Sequence, residues 1–310
     1  MNRRSFLAGS AAGLTLSPHV LPQEPQAAAP KATEAKAAGK PFQLDYAPHF
    51  GMFGNHAKSM VDQLQFAADQ GFRAWEDNGM AGRDEAVQKE LAAKMQQCGI
   101  RMGVFVAHAD FGAPTFASGK KEHQERVLAE IDRAIVVAER VQARWTTVVP
   151  GTVDHRIDPG FQLANVVDLL RRCCDRIAAK KSELVMVLEP LNFRDHPELF
   201  LTKVPQAYAI CRAVQSPHCK ILDDLYHQQI TEGNLIPNLE GAWDEIAYFQ
   251  VGDNPGRNEP GTGEVNFRNV FRRIHQKGFR GVVGMEHGNA HGGKDGELQL
   301  IAAYRDADAF

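Results

Sequence analysis

The chain has 310 residues, of which 44% are hydrophobic and 24% charged, with a formal net charge of −3 and a pI near 6.5. That is enough chain for one large α/β domain or two ordinary ones, and its mild acidity argues against a nucleic-acid-binding surface. The five cysteines, Cys98, Cys173, Cys174, Cys211 and Cys219, are an odd set without CxxC spacing and indicate neither a zinc site nor a disulfide framework.

Residues 1–21, MNRRSFLAGSAAGLTLSPHVL, set Arg3 and Arg4 before Ser5-Phe6-Leu7 and a modest apolar stretch. The stretch is interrupted by Ser, Thr, Gly and Pro and falls short of the roughly 20 apolar residues of a stable membrane span. Twin arginines in this setting resemble a twin-arginine export signal, with a cleavage site among Ala27, Ala28 and Ala29. The Ala/Pro/Lys-rich segment that follows lacks the large apolar residues needed to bury anything. The sequence therefore predicts a signal peptide over 1–29, a linker over 30–41, a folded domain over 42–310, and a periplasmic or exported location by the twin-arginine route. The unpaired cysteines fit folding in a reducing cytosol before transport.

From residue 42 onward, short apolar runs alternate with helical patterns eight times. The expected strands begin at Phe42 (FQLDYAPHF), Arg73 (RAWED), Arg101 (RMGVFVAH), Arg144 (RWTTVVP), Leu184 (LVMVLEP), Cys219 (CKILDD), Ile246 (IAYFQV) and Gly281 (GVVGMEH). Their near-continuous apolar character is that of strands buried on both faces. Between them, segments such as EHQERVLAEIDRAIVVAERV and FQLANVVDLLRRCCDRIAAKK repeat apolar residues every three or four positions, as amphipathic helices do. Gly71, Gly99 and Gly278 read as helix stops. Eight such units without a GxGxxG after the first strand favour a single (β/α)8 TIM barrel over an open doubly wound sheet.

A barrel of this kind carries its chemistry at the C-terminal ends of the strands. Those ends hold His49, Glu76, His108, Glu189, Asp224, Gln250 and Glu286. The last four lie on consecutive strands, so three carboxylates and an amide carbonyl would face one point. Such a group repels itself unless protons or a cation neutralise it, and an all-oxygen ligand set favours a hard divalent ion, Mg²⁺ or Mn²⁺. Any one of these acids alone would read equally well as a solvated helix cap.

The strings LEPLN at 188–192, DLYHQQ at 224–229, QVGDNPGRNEPGTGEVNF at 250–267 and GFRGVVGMEH at 278–287, with a weaker echo in GFRAWEDN at 71–78, resemble the hydroxypyruvate isomerase family of the xylose-isomerase-like barrel superfamily. The resemblance runs through most of the second half of the chain. It implies a divalent metal held by Glu189, Asp224, Gln250 and Glu286, with Glu189 and Glu286 as the paired proton donor and acceptor. His227 would contact a substrate oxygen, or else be satisfied by backbone on its loop. Arg257 is the natural partner for a substrate carboxylate because its planar fork makes two parallel hydrogen bonds. Pro255-Gly256 and Pro260-Gly261 would fix the turns of that loop, with Glu259 and Glu264 bracing it.

Glu76, His108 and His49 are expected on the far side of the substrate pocket, with a structural role as the alternative for each. The HGNAHGGKDGE segment, with His287 and His291, reads as a flexible loop before a terminal helix; the resemblance leads one to expect tyrosine directly after Glu286, where this chain has His287. The implied reaction is isomerisation of a small hydroxy-keto acid, hydroxypyruvate to tartronate semialdehyde, through an enediolate. A ketose 3-epimerase or other sugar isomerase on a longer sugar, an abasic-DNA endonuclease of the same ancestry, and a non-catalytic sugar-binding barrel are the other readings. The expected partner is a small sugar or hydroxy-keto acid, not nucleic acid, and a homo-oligomer is compatible with the sequence.

Overall fold

The computed structural model describes residues 39–310; the expected export signal and most of the expected linker lie outside the described residues. The elements run β1 (Tyr46–Ala47), α1 (Met60–Asp69), β2 (Ala74–Trp75), α2 (Glu85–Cys98), β3 (Arg101–Met102), β4 (Val106–Ala109), α3 (Lys121–Val141), β5 (Trp145–Val149) and α4 (Pro159–Ala179). They continue with β6 (Val185–Leu188), α5 (Val204–Val214), β7 (Cys219–Asp224), α6 (Leu225–Thr231), α7 (Leu235–Gly241), β8 (Ile246–Gln250), α8 (Phe267–Gln276), β9 (Val283–Gly284) and α9 (Gly293–Ala307).

Local chemistry accounts for the helices. In α8, Phe267, Val270, Phe271 and Ile274 are buried along one stripe while the arginines between them face outward, and the Asn266 side chain accepts from the Asn269 N–H at the N-terminus. Asp158 caps α4 by accepting from Gly160 N, with Pro159 in the first turn where its missing N–H costs nothing. Gly99 closes α2 at φ 67°, a conformation that carries little penalty only without a Cβ.

Every strand pairing is parallel. One sheet runs β1-β9-β8-β7-β6-β5-β4 and a second joins β2 to β3. The ring is completed where Glu76 N donates to Pro48 O, with His49 and Glu76 bridged, and where β3 leads directly into β4. This is a TIM-barrel-like α/β fold. Its interior is filled by Ala47, Ala74, Val104, Trp145, Val187, Leu222, Tyr248 and Val282, contributed from all around the ring, while the larger apolar cluster lies between strands and helices. Among the described residues no helix is long and apolar enough to cross a membrane.

The expected single strand RMGVFVAH is instead broken into β3 and β4. The break falls at Gly103, where a Cβ would collide with the Tyr248 hydroxyl; that hydroxyl accepts from Val104 N at 3.3 Å and donates to Glu76 Oε2 at 2.9 Å. A second glycine serves the same pair: a Cβ on Gly284 would overlap the Glu76 carboxylate. Replacing Gly284 with alanine is therefore expected to cost more than about 2 kcal/mol, an overpacking penalty plus the displaced hydrogen bonds of Glu76. Gly82, whose Cβ would meet open space, is the control and should tolerate alanine within about 0.5 kcal/mol. Urea unfolding of the two variants measures the difference, and equal midpoints would refute the crowding at position 284.

Candidate active site

Strand register brings the sequence-predicted residues to one level. Asp224 at the end of β7 pairs with Gln250 of β8, and Gln250 pairs with Gly284 of β9. Two residues beyond Gly284, on the same face of an extended chain, stands Glu286. Glu189 follows β6 directly, its N–H donating to Val148 O. Glu189, Asp224 and His227 place one polar atom each within 4.8 Å of one another, all buried.

The charge balance is lopsided. Arg257 Nη2 donates to Asp224 Oδ2 at 3.0 Å and to Glu286 Oε2 at 2.9 Å, while its Nε donates to the Glu286 carbonyl at 3.0 Å. The guanidinium also lies 4.7 Å from the centre of the Tyr226 ring. No other cation forms an ion pair with the Glu189, Asp224 or Glu286 carboxylates among the described residues unless His227 is protonated. Burial, followed by the charges of Glu286 and Asp224, pushes the Glu189 carboxyl well above its ordinary range. Burial lifts Glu286 to about 7, with Arg257 pulling it down and Asp224 pushing it up. Asn78 adds a hydrogen bond to Glu286 Oε1 at 3.0 Å.

His227 enters the rim three residues after Asp224, from the first turn of α6. Its Nδ1 accepts from Asn192 N at 3.2 Å and Asn192 Nδ2 at 2.7 Å. A backbone N–H can only donate, so Nδ1 is unprotonated and Nε2 carries the ring hydrogen. Nε2 lies 3.5 Å from Asp224 Oδ2 and 4.0 Å from Glu189 Oε1, and burial lowers the pKa of the ring to about 4. Proximity alone would make His227 a metal ligand; its tautomer makes it a hydrogen-bond donor.

The residues fit a hard cation. Of the expected ligands, Glu189 and Asp224 come within 4.8 Å of each other and of His227, a group that does not include Glu286; the carboxylates and the Gln250 amide oxygen at the adjoining strand ends are oxygen donors of the kind a hard cation takes. Gln250 Oε1 is buried and has no hydrogen-bond partner, which a cation would satisfy directly.

Of the other expected site residues, Glu76 and His49 line one cavity with Glu286, and His108 does not. His108 points away from this group: Nδ1 lies 2.5 Å from Glu130 Oε2 on α3 and Nε2 3.0 Å from Thr115 Oγ1, so the expected substrate contact is replaced by packing between strand and helix. Glu76 is 1% exposed, and the protein already bonds each of its oxygens once, Oε2 to the Tyr248 hydroxyl and Oε1 to Gln250 Nε2. His49 faces two backbone carbonyls, Phe50 O at 3.0 Å and His287 O at 3.1 Å. It edges a cavity of about 340 Å³ lined by Phe50, Glu76, Asn78, Arg83 and Glu286. His287 is buried and its Nε2 lies 2.8 Å from the Tyr304 hydroxyl, so it anchors α9 and does not belong to a flexible loop.

The loop after β8 is organised by a residue that the motif reading passed over. Asp253 is fully buried and accepts from the backbone N–H groups of Asn254, Gly261, Gly263 and Val265 at 2.8–3.1 Å. Gly256 at φ 103° and Arg257 itself at φ 51° then reverse the chain. Glu259 accepts from Ala290 N, and Glu264 from Gln229 and Asn254; both brace the loop. Asn192 and Asn78, which hold His227 and Glu286, also escaped notice. The N at the end of LEPLN and of WEDN was the available signal.

Parallel strands closed into a barrel with acids gathered at their C-terminal rim define a TIM-barrel fold whose chemistry sits at that rim. The chain belongs to the Xylose isomerase-like TIM barrel family, which matches residues 64–306. It is 36% identical over 124 residues to the hydroxypyruvate isomerase of Escherichia coli (strain K12), covering 40% of this chain and 47% of that protein, so this match spans less than half of the relative's length. It is 28% identical over 238 residues to the 2-oxo-tetronate isomerase of Cupriavidus necator, covering 76% of this chain and 89% of that one. Among solved structures, an AP endonuclease, family 2, from Brucella melitensis superposes with a TM-score of 0.72 at 24% identity over 84% of this chain and 99% of the other; that likeness shows the fold.

The placement of His108 has a measurable consequence. Burial lowers its pKa in the folded state, whereas the unfolded chain takes up the proton near pH 6.5. Below that pH the unfolded state binds more protons, so this residue makes stability fall as pH falls, by up to about 1.4 kcal/mol per pH unit. Replacing His108 with glutamine should remove that component and leave kcat within about threefold. Wild-type and variant unfolding free energies that run parallel from pH 8 to pH 5 would contradict the assignment.

Proposed function

We propose that the protein is a divalent-metal-dependent isomerase that moves a proton between adjacent carbons of a small hydroxy-keto acid, with hydroxypyruvate to tartronate semialdehyde as the favoured reaction. The carrying observation is that two carboxyls of raised pKa, the buried Glu189 and the partly exposed Glu286, flank Asp224 and the partnerless Gln250 oxygen in strand order. Relatives named for hydroxypyruvate and 2-oxo-tetronate support an acid substrate over the longer ketoses of a 3-epimerase.

A divalent ion, Mg²⁺ or Mn²⁺, held by Glu189, Asp224, Gln250 and Glu286 would supply Lewis-acid stabilisation of negative charge on the substrate oxygens. One glutamate takes the proton from C3, the electron pair enters the C2–C3 bond, and the C2 carbonyl becomes an enediol oxygen. The other glutamate delivers a proton to C2 while the C3 hydroxyl proton passes to the C2 oxygen and the C3 oxygen becomes the new carbonyl, and exchange with solvent returns the two glutamates to their starting protonation, so that no atom is gained or lost. His227 Nε2–H is the donor available to a substrate oxygen. Arg257 spends three of its five N–H groups on Asp224 and Glu286; the two on Nη1 remain for a substrate carboxylate.

Glu189→Gln and Glu286→Gln should each lower turnover by about 10²–10⁴-fold, and the wild-type enzyme should place solvent deuterium on the carbon beside the carbonyl. Chelator should abolish activity and Mn²⁺ restore it. A non-catalytic sugar-binding barrel would give no labelled substrate at any metal concentration, and that result would end the isomerase reading. Residues 1–29 are proposed to direct export by the twin-arginine route, on the strength of Arg3-Arg4 and the apolar stretch after them. Changing both arginines to lysine should retain the protein in the cytosol, and unchanged export would refute this.

A further inference from the structure

Glu76 lies beneath the proposed metal site, enclosed by the barrel. It is 1% exposed, and it fills the room that Gly284 leaves. Its Oε2 accepts from the Tyr248 hydroxyl at 2.9 Å, and its Oε1 accepts from Gln250 Nε2 at 2.8 Å. Tyr248 in turn uses its oxygen to accept from Val104 N at 3.3 Å, threading the gap that Gly103 opens in the barrel wall. Two glycines on different strands thus make space for this one contact.

The contact decides which end of an amide faces the site. Glutamine presents an acceptor at one end and a donor at the other, and the two are nearly equal in shape. With Nε2 held by a carboxylate, Oε1 must turn the other way, and it is this atom that is buried without a partner. Turned round, Gln250 would set its oxygen against the oxygen of an ionised Glu76 and offer N–H groups to a cation; burial and the charge of Glu286 push the Glu76 carboxyl well above its ordinary range, so the orientation is set where Glu76 is ionised.

We propose that Glu76 is a positioning residue that fixes the Gln250 amide with its oxygen toward the metal site; this rests on the metal-dependent reading above. The hydrogen-bond directions make the isosteric variant informative. The Tyr248 oxygen is occupied by Val104 N–H, so its hydroxyl must donate to residue 76. In Glu76→Gln the side-chain oxygen is therefore drawn to Tyr248 and the NH₂ to Gln250, which then turns its own oxygen inward. Removing the hydroxyl with Tyr248→Phe frees Gln at 76 to turn its oxygen back toward Gln250.

The test is Mn²⁺ binding to the metal-stripped full chain at pH 8, read from the spin-resonance signal of free Mn²⁺, with thermal melts confirming that each variant is folded. Glu76→Gln should weaken binding by about 10–100-fold, the usual cost of losing a partner that orients a ligand. Tyr248→Phe alone should stay within about threefold of wild type, and the double variant should recover most of the lost affinity although its negative charge is still missing. Unchanged affinity in Glu76→Gln, a double variant no tighter than Glu76→Gln, or a large loss in Tyr248→Phe alone would each overturn the proposal. Should Glu76→Gln fail to fold, the double variant carries the test: affinity within about tenfold of wild type supports the proposal and a loss of about 100-fold overturns it. A wild-type protein that binds no Mn²⁺ would instead defeat the metal-dependent reading itself.

Discussion

The mutual repulsion of buried carboxylates is the constraint around which the upper half of the barrel is arranged. Glu189, Asp224 and Glu286 converge on one rim, with Glu76 buried one layer below, and each would keep water or a counter-charge if it could. The fold shuts Glu76, Glu189 and Asp224 away from water, leaves Glu286 partly exposed, and among the described residues supplies one guanidinium. Nη2 of Arg257 touches two of the three rim acids at once, while Glu189 is left to the Nε2–H of a neutral histidine at 4.0 Å. A site neutralised this incompletely holds protons on its acids or attracts a cation, and either state suits chemistry that moves protons between carbons.

Among the described residues the counter-charge comes from an irregular segment between a strand and a helix. Arg257 sits in left-handed backbone on a loop between β8 and α8, and such a loop on its own would wander. Asp253 prevents this by gathering four backbone N–H groups onto one carboxylate, which amounts to an anion nest turned inside out: the protein supplies its own anion and folds the backbone around it. The Pro and Gly residues shape the turns, but it is the buried carboxylate that holds them in one arrangement. Arg257 reaches the acids because another acid, facing away from them, pins its loop.

How far this was legible in the sequence depends on what kind of partner a residue has. Apolar runs ending in Glu189, Asp224, Gln250 and Glu286 announced a barrel rim, because strand periodicity and barrel geometry together fix where such side chains go. Glu76 and His108 ended apolar runs in the same way, and pattern alone could not tell them from the others. Their difference lies in neighbours remote in sequence: Tyr248 and Gln250 beneath the rim for Glu76, Glu130 on α3 for His108. Asp253, Asn192 and Asn78 were harder still, since two of them bond backbone N–H groups whose directions exist only once the loops are folded. The interruption of the third strand was equally hidden, because it takes Tyr248 to explain why Gly103 stands there.

Polar groups in this barrel differ in whether their hydrogen-bonding capacity is used up. Some that hold the fold together are fully matched: Glu297 accepts from both backbone and side chain of Asn55 and His56, and Asp253 is saturated by its loop, whereas both oxygens of the buried Asp223 and both side-chain polar atoms of Gln228 have no partner. Around the rim, matching stops short, with a Gln250 oxygen that has no donor, two Arg257 N–H groups to spare and a His227 N–H that reaches only to 3.5 Å. Leaving such groups incomplete in a low-dielectric setting is costly, and at the rim the Gln250, Arg257 and His227 deficits fall close together. A ligand that brings a positive charge and several oxygens would relieve these deficits together. That convergence, more than the identity of any one acid, is what separates a reaction site from a buried ion-pair network.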